Sequence, residues 1–134
     1  MIPAFILVVS TVFLVQFFVT YCRSLIAAYR RVDLSEDARE VTGIEDRIVH
    51  GDDFRRLLQL VWLCPEPGDD RFEIGAVRLY YVLLNSLRAL GRTLLPAAAS
   101  WAEREREGCA YFAAVALDRR IAHNRDLMAQ QMNP

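Results

Sequence analysis

The sequence predicts an all-α protein with one N-terminal transmembrane helix that continues into a small cytoplasmic helical bundle. Three observations predict this class: an uncharged N-terminal run, apolar residues at helical spacing elsewhere, and no strand-like alternation or internal repeat. We expect residues 1–32 to form the anchor helix with a cytoplasmic extension, and residues 33–134 to form the cytoplasmic domain.

The first twenty-two residues carry no charged side chain, and Arg23 follows them directly. A helix needs about 20 mostly apolar residues to cross roughly 30 Å of hydrocarbon, so the run is long enough for one span. A secretory signal peptide is the alternative. Such peptides have a basic start and an apolar core of about 7–15 residues, whereas nothing basic precedes this longer run. The run therefore predicts a membrane anchor.

The arginines after the run predict its orientation. Arg23, Arg30 and Arg31 lie just beyond its C-terminal end, and the positive-inside rule keeps that end in the cytoplasm. We expect a protein of the cell (inner) membrane of a bacterium, with its N-terminus outside and its C-terminal domain cytoplasmic.

Local signals divide the cytoplasmic part into helices. A capping acceptor three residues before a glutamate predicts helix starts at Asp33, Thr42 and Asp70, and Asp52 is expected to cap another helix. Proline ends helices after Cys64 and at Leu95-Pro96. The expected elements are short acidic helices within 33–51 (near 34–42 and 43–50) and core helices at about 52–64, 71–94 and 96–130.

Two core helices have distinct apolar patterns. The helix at 71–94 is amphipathic, with an inward stripe expected at Ile74, Val77, Tyr81, Leu84, Leu87, Leu90 and Leu94. In the last helix, the stretch from Glu103 to Glu107 is expected to be polar on every side. Ten residues without a charge follow, from Gly108 to Leu117, too few to cross a bilayer and therefore expected to be buried on nearly all sides. Either the domain wraps this run, or a partner covers part of it.

Residue types that perform catalysis are sparse. His50 and His123 are the two histidines, with no second histidine at metal-ligand spacing, and there is no glycine-rich phosphate loop or serine elbow. A helix stop and an aspartate cap explain His50-Gly-Asp-Asp53 as well as a cluster of ligands would. Cys64-Pro65 resembles the short haem-regulatory motif, although proline ending a helix explains it too. We expect no catalytic residue, no cofactor and no metal.

Two surfaces are candidates for partner binding. Val9, Phe13, Gln16 and Thr20 recur every three or four residues, so the polar Gln16 and Thr20 share one stripe of the membrane helix. The acidic segment 33–53 predicts either solvated helix starts or a docking face for a basic partner, at Asp33, Glu36, Asp37 and Glu40. A net charge of −1 argues against nucleic acid as a partner, so the expected partners are the lipid bilayer and a larger integral membrane protein complex.

Two hypotheses about function follow. The first is a non-catalytic, single-pass accessory or assembly subunit of a larger membrane protein complex, with an energy-transducing complex, respiratory or photosynthetic, as one candidate host. The alternative is a membrane-tethered sensor or small-ligand protein that binds haem or a metal in the bundle. Its candidate ligands are Cys64, His50 and His123.

Overall fold

A computed structural model describes residues 1–35, 39–40, 50–64 and 70–133 of the chain. The described helices are α1 (Ile2–Arg30), α2 (Asp53–Leu63), α3 (Arg71–Leu94) and α4 (Pro96–Met132), and no strand occurs among these residues. The predicted all-α class is therefore confirmed. The three core helices begin and end within two residues of their predicted limits.

Helix α1 is long and apolar enough to cross a membrane. Its 29 residues extend about 43 Å, and its early proline costs nothing because the first helical N–H groups have no partner within the helix. Residues 1–17 are exposed, apart from the half-buried Val9. The later turns pack into the domain and bury Cys22, Ile26 and Tyr29. The helix ends at Arg30, just short of the expected limit, and its last turns belong to the bundle core.

Helices α1 and α4 lie side by side and run in the same direction. Three pairs show this: Arg23 Nε is 3.5 Å from Glu105 Oε1, the rings of Tyr29 and Phe112 have centroids 4.4 Å apart, and the Ile26 methyl Cγ2 would lie 3.0 Å from a Cβ on Gly108. The α4 partner is numbered about 82 higher in each pair, and a constant difference means parallel helices in register. Glycine at 108 permits this approach because it has no side chain.

Helix α4 is the centre of the bundle, and the other helices surround it. Asp52, just before α2, accepts a hydrogen bond from Arg106, and Val61, near the end of α2, accepts one from Arg120. Both partners advance along the chain together, so α2 runs parallel to α4. Helix α3 runs antiparallel, since Gly91 contacts the backbone of Ala99. All ten residues from Gly108 to Leu117 are buried, as predicted. The domain itself wraps the apolar run, so no partner is needed to cover it.

The inward stripe predicted for α3 is only half right. Ile74, Val77, Tyr81 and Leu84 are buried, but Leu87, Leu90 and Leu94 are 38%, 62% and 75% exposed. Spacing places all of these side chains on related faces of a helix, but it does not place a neighbour against each of them. The first turn of α4 offers only alanines to this end of α3, and they cannot cover three leucines.

The helix starts predicted at Asp52 and Asp70 are correct, but the predicted capping hydrogen bonds are not made. Asp52 and Asp70 stand at the N-caps of α2 and α3 without a side-chain capping bond. Their carboxylates bind Arg106 and Arg120 instead. A charged partner from another helix makes a stronger hydrogen bond than a backbone amide does, and this explains the exchange.

Most of the acidic segment lies outside the described residues, including Glu36, Asp37 and Thr42 and most of the two short helices expected there. The described part shows how the segment leaves α1. Leu34 is buried, and the backbone N–H of Ser35 donates to the Asp118 carboxylate at 3.0 Å. Asp33 and Glu40 are exposed.

Candidate functional site

The two faces of α1 have different environments. Cys22, Ile26 and Tyr29 face the domain. At 3.6 residues per turn, the predicted membrane face points between about 120° and 180° away from Cys22. That face consists of Val9, Phe13, Gln16 and Thr20, of which all but the half-buried Val9 are exposed. The domain therefore covers one side of the helix and leaves the predicted partner side open.

The polar side chains on the open face differ in their need for a partner. Thr20 Oγ1 donates to the carbonyl of Gln16 at 2.8 Å, so this hydroxyl is satisfied within its own helix. The side-chain amide of Gln16 makes no hydrogen bond to any residue that the structure describes. An amide left unpaired in hydrocarbon is costly. Gln16 is therefore the polar side chain on this face that has no hydrogen-bond partner among the described residues.

A polar cluster around Tyr29 fixes the angle between α1 and the domain. The Tyr29 hydroxyl donates to Glu73 Oε2 at 2.6 Å and accepts from Arg119 Nη1 at 2.8 Å. The Arg119 guanidinium also lies 4.4 Å from the centre of the Tyr29 ring, a cation–π contact. These contacts join α1 to both α3 and α4, so the domain cannot rotate freely around the end of α1.

Arg106 is a buried charge with several partners. It is only 2% exposed, and its Nη atoms donate to Asp52 Oδ1 at 2.6 Å, Glu103 Oε2 at 2.9 Å and the Tyr81 hydroxyl at 3.0 Å. Tyr81 in turn donates to the carbonyl of Gly51 at 2.8 Å. The cluster ties the start of α2 to α3 and α4, and Arg106 Nε is the one buried side-chain polar atom without a partner in the described structure.

The charges in this cluster stabilise one another. Burial disfavours the charged form of Arg106, but the hydrogen bonds with Tyr81 and Asp52 outweigh it and raise the pKa of the guanidinium above its ordinary value. The hydrogen bond and charge of Arg106 lower the pKa of Asp52. Both groups therefore stay charged near neutral pH, so the cluster acts as a structural fastening between helices and is poorly suited to exchanging protons.

Arg120 closes the opposite end of the bundle. Its guanidinium binds both oxygens of Asp70, at 3.0 and 3.2 Å, and donates to the carbonyls of Val61 and Cys64 at 2.7 and 3.3 Å. Those carbonyls belong to the last turn of α2, where helical carbonyls lack partners and a cation is favoured. One arginine thus holds the end of α2 and the start of α3.

The burial of Arg106 and Arg120 was not predicted from the sequence. The expectation that residues 103–107 are polar on every side is wrong, because Arg106 is buried. A usable signal was present: Ala102, Arg106, Cys109, Ala113, Leu117 and Arg120 follow one another at spacings of three and four, so both arginines lie on the buried face of α4.

The candidate ligands do not form a site. His50 and His123 are exposed, and Cys64 is half-buried. Gly51, next to His50, packs against Arg106, and His123 lies about 25 Å further along α4. No group of three or more His, Cys, Asp or Glu residues in the described part of the chain has the geometry of a metal site. The structure therefore gives the sensor hypothesis no assembled ligand set.

An apolar groove lies between α1 and α3. It has a volume of about 590 Å³, and every side chain that lines it is apolar or aromatic. One wall is formed by Leu14, Val15, Phe17, Phe18 and Tyr21 of α1, and the other by Phe72, Ala76, Leu79 and Leu83 of α3. The groove joins the exposed surface of the membrane helix to the exposed leucines of α3, so the two surfaces are continuous.

Searches against protein-family models, curated proteins and solved structures found no match to this chain.

Proposed function

We propose that the protein is a non-catalytic, single-pass accessory subunit of a larger membrane protein complex, which it binds through the open face of α1. In this proposal α1 crosses the inner membrane of a bacterium with its N-terminus outside, and the helical domain lies against the cytoplasmic side of the complex. An energy-transducing complex is one candidate host.

The observation that carries the proposal is the division of α1 into two faces. A helix that served only as an anchor would need no polar group in its apolar span, yet Gln16 lies there without a hydrogen-bond partner among the described residues. Between membrane helices, such a side chain contributes about 0.6 kcal/mol on average and up to roughly 1.7 kcal/mol. This is enough to orient α1 against a partner, and the apolar contacts of Phe13 and its neighbours add packing area.

The rigid attachment of the domain supports the same function. The contacts of Tyr29 with Glu73 and Arg119 hold the domain at one angle to α1. A partner bound to the open face of α1 would therefore always meet the domain in the same position. The buried arginines, Arg106 and Arg120, are both engaged in holding helices together.

Photocrosslinking in cells tests the proposal. A photoreactive amino acid replaces Phe13 on the open face or, as the matched control, Val8, which is similarly exposed but lies about 140° around the helix. We expect a discrete crosslinked partner from position 13 and none, or a much weaker one, from position 8. Gln16→Leu should reduce recovery of that partner in mild detergent. Equal crosslinking at both positions, or lipid adducts alone at position 13, would contradict the proposal.

Orientation is tested separately with a single thiol. Cys22 and Cys109 are fully buried, so only the half-buried Cys64 needs replacement, by serine. Met128→Cys then places a reactive thiol near the exposed end of α4. We expect an impermeant maleimide to label this thiol only after the cells are lysed, whereas efficient labelling of intact cells would reverse the orientation.

A further inference from the structure

The loop between α3 and α4 carries an exposed apolar surface at one end of the bundle. Leu90, Leu94 and Leu95 are 62%, 75% and 63% exposed, and Pro96 and Ala97 extend the same surface. We call residues 87–98 the hairpin tip. Surfaces of this kind in a folded chain mark a contact with another apolar phase or molecule.

The register of the helices shows where the hairpin tip lies relative to α1. Glu105 of α4 is level with Arg23, the first charged residue after the uncharged run. Helix α4 runs parallel to α1, so Pro96, nine residues before Glu105, lies about 13 Å further toward the N-terminal end of α1. The tip is therefore beside the apolar span, level with Leu14 or deeper.

Helix α3 also places the tip beside the uncharged part of α1, at a greater depth than the register of α4 does. It runs antiparallel to α1, because Phe18 packs against Tyr80 and Cys22 lies against the carbonyl of Ala76. Leu83 lines the groove together with Leu14 and Val15. From Leu83, the helix continues in the same direction for about 16 Å to Leu94. The contacts of α3 and of α4 with α1 thus both place the hairpin tip, where these two helices join, along the uncharged part of α1.

Several backbone and hydroxyl groups in and next to the hairpin tip are satisfied within the chain. The N–H of Leu95 donates to the carbonyl of Gly91 at 2.9 Å, and those of Ala98 and Ala99 donate to the carbonyl of Leu95 at 3.1 and 3.3 Å. Pro96 has no N–H to satisfy. The hydroxyls of Thr93 and Ser100 donate to carbonyls of their own helices, both at 2.9 Å. Backbone and hydroxyl groups that turn inward in this way suit a site without water.

We propose that the hairpin tip inserts from the domain side into the hydrocarbon core beside α1, which gives the protein a second contact with lipid. The inference rests on one part of the proposed function, that α1 spans the membrane. Lipid acyl chains then fill the groove between α1 and α3 and cover the exposed leucines of α3. This follows because the α1 residues that line the groove are part of the span. Arg92 lies about 160° around α3 from Leu90 and Leu94, so its side chain is not on the leucine face.

Fluorescence quenching in vesicles tests the insertion. Purified full-length protein with Cys64→Ser carries one environment-sensitive fluorophore at Leu94→Cys, at Phe13→Cys in the span, or at Met128→Cys. Met128 is the matched control, because it is 64% exposed and lies about 50 Å along α4 from the tip. The vesicles are phosphatidylcholine with nitroxide on the acyl chain, and iodide is the aqueous quencher.

We expect the label at position 94 to behave like the label at 13, with several-fold stronger quenching by the nitroxide lipid than by iodide, and the label at 128 to show the reverse. If position 13 is quenched by lipid but position 94 follows 128, the insertion is disproved while the span survives. Iodide quenching at both 13 and 94 would overturn the insertion and the span together. Protection at 94 from both quenchers, with crosslinking between copies, would assign the leucine face to a second copy of the chain instead.

The crosslinking experiment of the preceding subsection separates the two proposals. Failure to find a crosslinked protein at position 13 would refute the accessory-subunit function, but it would leave lipid quenching at position 94 unchanged.

Discussion

Two of the uncharged runs in the chain, residues 1–22 and 108–117, have opposite surroundings. In α1 most large side chains before Phe18 are exposed, as for Phe5, Leu7 and Phe13. In α4 every residue of the run is buried within the domain. Both runs are apolar helix, so hydropathy alone does not separate them.

Side-chain size does separate them. The run in α4 is built mostly from small residues: Gly108, Cys109, Ala110, Ala113, Ala114 and Ala116. Small residues let neighbouring helices approach closely, as α1 does at Gly108. The run in α1 is rich in phenylalanine, leucine and valine, which present a broad surface suited to lipid or to one partner. The side chains of a helix that packs closely on all sides are therefore smaller than those of a helix with an exposed surface.

The strongest way to break this comparison is to place a charge in the wrapped run. Ala113 is 2% exposed, and Ala113→Arg would bury an unpaired cation at a cost of about 3–5 kcal/mol. We expect loss of cooperative unfolding, or a large fall in the unfolding midpoint, by circular dichroism in detergent micelles. Leu127→Arg, at a 44% exposed site on the same helix, is the control. Equal stability of the two variants would mean that the run is not enclosed.

The corresponding change in α1 should leave the domain folded and impair membrane insertion. Val12→Arg places a charge near the middle of the span, which costs about 3 kcal/mol on insertion scales. Ala28→Arg, beyond Arg23 and exposed, is the control. We expect alkaline extraction to release a larger fraction of the Val12→Arg chain from membranes than of the Ala28→Arg chain. Release of the two chains to the same extent would argue that α1 is not a span.

A smaller effect tests the close contact between α1 and the wrapped run. Gly108→Leu forces side-chain atoms against Ile26 and Arg30, and overpacking of this kind costs about 1–3 kcal/mol. Gly75→Leu, on α3, meets nothing within 4 Å and should stabilise its helix by about 0.5–1 kcal/mol. Opposite signs in denaturant midpoints support the contact, and two stabilised variants would contradict it.

The smallest expected effect is the pH dependence beside the wrapped run. The Asp52 pKa is lowered in the folded protein by Arg106, so its contribution to stability is present above its unfolded value of about 3.8 and is lost as pH falls through the folded value. Asp52 is highly exposed, so solvent screens the interaction. Asp52→Asn should flatten the acid side of the stability curve, with Asp126→Asn as the exposed control. An unchanged acid limb in Asp52→Asn would show that the pair contributes nothing in solution.

Local patterns were sufficient to predict the helix limits and the burial of residues 108–117. Proline, glycine and apolar spacing influence the chain within a few residues. The helix limits near Asp70, Leu95 and Pro96 lie where these signals predict them. The exposed leucines at the end of α3 could not be predicted, because spacing shows which residues share a face and not whether another helix covers that face.

The polar contacts depended on tertiary structure and were less predictable. The roles of Arg106 and Arg120 require partners more than fifty residues away, at Asp52 and Val61, which no local pattern reveals. The predicted membrane face of α1 could be proposed because it lies on one helix. That the domain leaves this face exposed could not be predicted, because it depends on the packing of Cys22 and Tyr29 against the domain.

The in-register pairing of α1 with α4 has a consequence for the order of synthesis. Gly108 leaves the ribosome about 80 residues after Ile26, the residue it packs against. If α1 enters the bilayer as it is made, one wall of the core is already fixed at the membrane surface while the rest of the chain is still being translated. The last helix must then return across a long sequence separation to complete the core, which is a slow kind of contact to form. In that case, completion of the domain core would follow insertion of α1.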